Sequence, residues 1–162
     1  MRILLDTVIY NRAVENPTFG LLLRRVCNDG LIELVTSHVQ EDQLSKTRDP
    51  QKRKALLSIF ANTCSQQTPT AAAAFDVSKW DQAEWPNQER IDFFEKTLAS
   101  TTASHKGHAN DALLAVTAFA KADVFVTDDP KLLKRTGTAV NATGGKLRVL
   151  SYKEFMKELE TL

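Results

Sequence analysis

The stretch Val124–Pro130, VFVTDDP, decides the fold. Three β-favouring residues run into a threonine, two adjacent carboxylates and a chain breaker. It reads as a strand followed at once by a helix, with Pro130 suited to the first helical position and Asp128 or Asp129 to its cap. The chain opens on the same design, because Arg2–Thr7 (RILLDT) is an apolar run that ends in an acid and a threonine. Further apolar runs of strand length occur at Ile32–Thr36, Ala74–Val77 and Leu147–Leu150. Segments with helical spacing lie between them, at Phe19–Cys27, from Ser37 to Leu44, and at Gln51–Asn62, Gln88–Leu98, Asn110–Lys121 and Tyr152–Leu159. Strand alternating with helix predicts a three-layer α/β/α architecture around a central, mainly parallel, five-stranded sheet. The polar stretch Thr63–Thr70 reads as a loop, and Ser78–Gln88, with Trp80, Trp85 and Pro86, is left without an element.

At 162 residues the chain fits one domain spanning residues 1–162, with 43% hydrophobic and 25% charged residues. A formal net charge of +1 excludes a uniformly basic nucleic-acid binder, so any such surface must concentrate its charge locally. Cys27 and Cys64 fit two reduced thiols. With no signal peptide and no apolar run long enough to span a membrane, a cytoplasmic protein is expected.

Ligands of open parallel α/β sheets bind beyond the carboxyl ends of the strands. Asp6 follows the first strand and Asp128 and Asp129 follow the fourth, so all three belong at that edge. The helix from Ser37 starts there with Glu41 and Asp42 in its early turns, and the helix from Asn110 starts there with Asp111 in its first turn. Singly, each acid suits a cap, a turn or a helix dipole. Together they repel one another, a cost that Mg²⁺ or Mn²⁺ relieves through hard oxygen ligands.

DTVIYN, TSHVQEDQL, HANDALLAVTAFA and VFVTDDPKLLKR, in this order, resemble the PIN domain over nearly the whole chain, from Met1 to about Phe155. That family contains metal-dependent ribonucleases, including the VapC-type toxins of toxin–antitoxin pairs. The resemblance implies that Asp6 and Asp111 are the first and third metal-binding acids, that Asp129 closes the Thr-x-Asp element, and that the Thr127 hydroxyl orients the site. Asp128 is then an extra neighbour. The family's second acid commonly precedes a leucine, but Gln43 precedes Leu44 here, which leaves Asp42, the preferred candidate, and Glu41. These two lie about 100° apart around a helix. The implied activity is hydrolysis of RNA by metal-bound water, since no residue reads as a protein general base. An antitoxin partner and a homodimer are implied as well. Gln43, together with Val8 where the family often has a small polar residue, favours a second reading, a non-catalytic PIN-like module that binds RNA or protein.

Positive charge gathers at Lys46, Arg48, Lys52, Arg53 and Lys54, and again at Lys131, Lys134 and Arg135 just after the acids. Lys131, Lys134 and Arg135, with Lys46 and Arg48, are the candidates for contact with an RNA backbone. The histidines around Ser104–His108 lack the further ligands of a zinc site. No phosphate-binding glycine loop or Gly-x-Ser-x-Gly elbow is present, and Gly144-Gly145 reads as a turn. Trp80 and Trp85 suit a core or a subunit interface better than base stacking.

Overall fold

The computed structural model describes residues 1–63, 67–74, 78–98 and 105–162. Among them four strands, β1 (Arg2–Leu5), β2 (Glu33–Leu34), β3 (Val124–Val126) and β4 (Arg148–Leu150), form one parallel sheet in the order β2-β1-β3-β4. The helices are α1 (Thr7–Glu15), α2 (Pro17–Asn28), α3 (His38–Ser45), α4 (Pro50–Thr63), α5 (Gln88–Leu98), α6 (His105–Lys121), α7 (Pro130–Thr143) and α8 (Tyr152–Leu159).

The strands alternate between two cores, as a period of two requires. Ile3, Leu5, Val124 and Val126 face a core shared with Ile9 and Tyr10 of α1, Phe19 and Leu23 of α2, Leu56 and Phe60 of α4, and Phe155 of α8. Leu4 and Phe125 point the other way, to Val39 of α3, Phe93 of α5, Leu113 and Val116 of α6, and Leu132 of α7. Helices thus cover both faces, giving the three layers expected.

The sheet has four strands among the described residues, which corrects the expected five. Residues 75–77 of the run expected as the fifth strand lie outside them. Ala74 is in no strand: its N–H donates to Ser78 Oγ at 2.9 Å and its carbonyl accepts from Ser78 N–H at 3.0 Å. These groups of Ala74 thus bond to Ser78 and to no strand. Upstream, the Ala71 N–H donates to Thr117 Oγ1 on α6 at 3.2 Å.

Two helices differ from the sequence reading. The segment after Asp6 is helical from Thr7, despite the β-branched Thr7, Val8 and Ile9, because Ile9, Tyr10 and Ala13 then share one buried face. Tyr10 packs on Phe60 of α4 at 5.6 Å between ring centroids. Helix α6 begins at His105, not Asn110, so Asp111 stands in its second turn and the dipole of the first turn does not account for it. Helix α7 runs from Pro130 to Gly144, whose positive φ of 66° supplies the left-handed cap.

The chain moves from β1 to one neighbour, β2, and returns on the other side as β3. The crevice between the carboxyl ends of β1 and β3 is therefore a topological switch point, where open α/β sheets bind ligands. The pairing extends to its lip: Asp6 N–H donates to Val126 O at 2.9 Å and Thr127 N–H to Leu150 O at 3.0 Å.

Candidate active site

Asp6 leaves β1 at this crevice and is only 5% exposed. Its Oδ2 accepts a 2.6 Å hydrogen bond from Thr127 Oγ1, and its Oδ1 a 3.3 Å bond from Thr7 Oγ1. Burial pushes the Asp6 pKa up; the bonds from Thr127 and Thr7 pull it back, and Asp129 adds to the rise. Thr127 is itself fully buried and uses its hydroxyl twice, donating to Asp6 and accepting from Asp129 N–H at 3.1 Å. One hydroxyl therefore ties the end of β1 to the turn after β3.

Asp129 caps α7, its Oδ1 accepting from the N–H groups of Lys131 and Leu132 at 2.7 and 3.2 Å. Asp111 comes from α6. Its pKa is pushed up to about 6, by burial first and then by the negative charge of Asp6, with Asp129 adding a little and Arg135 opposing. Arg135 Nη2 lies 3.9 Å from Asp111 Oδ2. Negative charge on Asp129 thus adds to the cost of ionising Asp6, and charge on Asp6 and Asp129 adds to the cost of ionising Asp111.

Asp128 turns away from this cluster. Arg12 grips its Oδ2 through Nε and Nη2 at 3.0 and 2.8 Å, and Tyr152 N–H reaches its Oδ1 at 3.4 Å. The two adjacent acids of the opening stretch have different partners: Asp129 belongs with Asp6 and Asp111, and Asp128 with Arg12.

The α3 acids are engaged elsewhere. Asp42 pairs with Lys79 at 3.2 Å and keeps 40% of its side chain exposed, while Glu41 accepts a hydrogen bond from Gln67 Nε2. What α3 brings to the crevice is Gln40, a fully buried residue absent from the sequence reading. Its Nε2 donates to Leu5 O at 2.6 Å, and its Oε1 accepts from Ser37 N–H at 2.7 Å. The signal was available, since Ser-x-x-Gln is a capping box. Gln43 lies one turn further along the same face, and its Oε1 is buried with no hydrogen-bond partner among the described residues.

Hard carboxylate oxygens that repel one another suit a divalent cation in donor type and in charge. As they stand, no three His, Cys, Asp or Glu side chains among the described residues are grouped closely enough to hold a metal ion. Of the basic candidates, Lys131 and Lys134 are exposed on α7 close to the Asp129 cap, Lys46 and Arg48 are exposed just beyond α3, and Arg135 is largely covered. The side chains of Trp80 and His105 lie outside the description, as does Cys64; Trp85 is 87% exposed and so is not a core residue. No helix among the described residues is long and apolar enough to cross a membrane.

No protein-family model matches the chain, and no curated protein matches it. Its fold is similar to that of a chain in the crystal structure of VapBC2 from Rickettsia felis bound to a DNA fragment from their promoter. The TM-score is 0.52 and the sequence identity 16%, over 94% of this chain and 99% of that one. At that identity the likeness is one of fold.

Proposed function

We propose that this chain is a Mg²⁺- or Mn²⁺-dependent endoribonuclease with the role of the toxin in a toxin–antitoxin pair. The observation that carries the reading is the set of acids Asp6, Asp111 and Asp129 around the switch point, with the Asp111 pKa raised to about 6 by burial and by its acidic neighbours. Asp6 and Asp111 are each opposed in ionisation by burial and by a neighbouring acid, a cost that a bound cation would relieve. The fold likeness to a chain of a VapBC2 complex supports the toxin–antitoxin part and an antitoxin partner, while a homodimer follows only from the PIN-domain resemblance.

In this reading Asp6, Asp111 and Asp129 hold the ion, which when bound polarises a phosphoryl oxygen and makes water a competent nucleophile at neutral pH. The chain's own residues set the stage. Thr127, bonded to Asp6 at 2.6 Å, locks that carboxylate in one orientation and fixes the Asp129 turn. Arg12 neutralises Asp128 and keeps a fourth negative charge out of the crevice. Lys131 and Lys134, exposed beside the site, offer the RNA backbone its counter-charges. Asp42 joins the site only by leaving Lys79, and Glu41 only by leaving Gln67.

A second reading, a non-catalytic module that binds RNA or protein, is favoured by Gln43 standing where the resemblance leads one to expect an acid and by the engagement of Asp42 with Lys79. Labelled RNA incubated with purified protein and Mn²⁺ separates the two. The nuclease reading expects cleavage that EDTA abolishes and Asp129→Asn reduces to background; cleavage equal in wild type and variant would defeat it. Growth arrest on expression, relieved by a co-expressed partner, tests the toxin role separately.

A further inference from the structure

Arg135 differs from the other basic residues near the acids. Lys131 and Lys134 project into solvent, but the Arg135 side chain is 11% exposed. Its Nε donates to Lys131 O at 3.3 Å, four residues back along α7, which folds the side chain toward the helix N-terminus and the crevice. Nη2 then lies 3.9 Å from Asp111 Oδ2, an ion-pair distance and too long for a hydrogen bond. Nη1 is buried and has no hydrogen-bond partner among the described residues.

A guanidinium carries five N–H donors in a planar fork, and burying Nη1 with no partner among the described residues is costly. An arginine whose only purpose was to neutralise Asp111 would close on that carboxylate in a bidentate pair near 2.8 Å. Arg12 does so on Asp128 in this same molecule, with two nitrogens on one oxygen at 3.0 and 2.8 Å. Arg135 instead stands off at 3.9 Å, and its Nη1 has no acceptor among the described residues. A tetrahedral oxyanion beside Asp111 would satisfy them, and phosphate is the group whose geometry the fork matches.

We propose that Arg135 holds a non-bridging oxygen of the phosphodiester to be cleaved, placing it against the acid cluster. This rests on the nuclease reading and assigns Arg135 a contact with the reacting group, in contrast to the general backbone attraction of Lys131 and Lys134. Losing a charge-assisted hydrogen bond of this kind costs about 10- to 100-fold in rate. The loss falls on kcat if the contact tightens in the transition state. A lysine supplies the charge without the fork, so it restores pairing with Asp111 but not the placement of phosphate.

The test measures RNA cleavage and Mn²⁺ affinity in parallel for wild type, Arg135→Gln, Arg135→Lys and Lys134→Gln. Arg135→Gln is expected to bind Mn²⁺ at least as tightly as wild type, because a nearby positive charge is gone, yet to lose about 10- to 100-fold in kcat/KM. Arg135→Lys should recover thermal stability with no more than about a tenth of the rate, while Lys134→Gln should change KM and its salt dependence alone. Full activity in Arg135→Lys, or a loss in Arg135→Gln that merely tracks weakened Mn²⁺ binding, would overturn the inference and leave the nuclease standing. Absence of cleavage by the wild type removes the nuclease reading, and the inference with it.

Discussion

Asp111→Asn should make the metal-free protein more stable and inactive at once. Burial and the charges of Asp6 and Asp129 outweigh Arg135 and lift the Asp111 pKa from 3.8 to about 6. That difference corresponds to about 3 kcal/mol of unfavourable ionisation at neutral pH. The sign follows from the raised value. The folded state holds the Asp111 proton more tightly than the unfolded chain, so this contribution to stability is fully present below pH 3.8 and is lost as pH climbs through about 6. Asparagine keeps the shape and never ionises. In EDTA near pH 7.5 the variant should therefore gain up to about 3 kcal/mol, which for a chain of this size is at most roughly 6–12 °C in Tm. Near pH 3 the two proteins should melt together. Saturating Mg²⁺ should raise the wild-type Tm and leave the variant almost unmoved. Scanning calorimetry across this pH range is the assay. A variant no more stable than wild type in EDTA at neutral pH would refute the claim that burial and neighbouring negative charge oppose ionisation of Asp111.

Two other substitutions probe the same cluster. Thr127→Val removes the hydroxyl that bonds Asp6 and accepts from Asp129 N–H; it should cost about 1–3 kcal/mol in chemical denaturation and slow RNA cleavage, and an unchanged midpoint would contradict the bridging role. Gln43→Glu places a carboxylate where an amide oxygen is buried without a partner. Calorimetric titration should show tighter Mn²⁺ binding, with a lower Tm in EDTA; weaker Mn²⁺ binding would mean that the α3 face has no part in the site.

Much of this architecture is legible in the chain because its elements are bounded by strong local signals. β1, α5 and α8 have the bounds expected from their apolar spacing and flanking polar residues. The alanine run near residue 74 has no such signal: alanine fits a turn, strand or helix, and the Ala74 backbone bonds to Ser78 instead of a strand. Helix α1 was illegible for the opposite reason, because Thr7-Val8-Ile9 favours extended backbone locally and is overridden by burial of Ile9 and Tyr10. At the site, the expectation that Asp6, Asp111 and Asp129 share one edge comes from the alternation of strand and helix, which sends strand ends and helix starts to the carboxyl edge of a parallel sheet. The resemblance already sets Asp128 apart from Asp129, but the partner that holds it is not legible, since Arg12 lies 116 residues away in sequence. Gln40 escaped notice because an amide carries no charge to mark it, although its capping position did.

The central claim is that Asp6, Asp111 and Asp129 act as one cation site from which Asp128 is excluded. Calorimetric titration with Mn²⁺ of wild type, Asp6→Asn, Asp111→Asn, Asp129→Asn and Asp128→Asn tests it directly. The first three variants should lose affinity at least about tenfold each, or about 1.4 kcal/mol, and Asp128→Asn should match wild type. Equal affinity in wild type and Asp111→Asn, or a loss in Asp128→Asn as large as in Asp129→Asn, would contradict it.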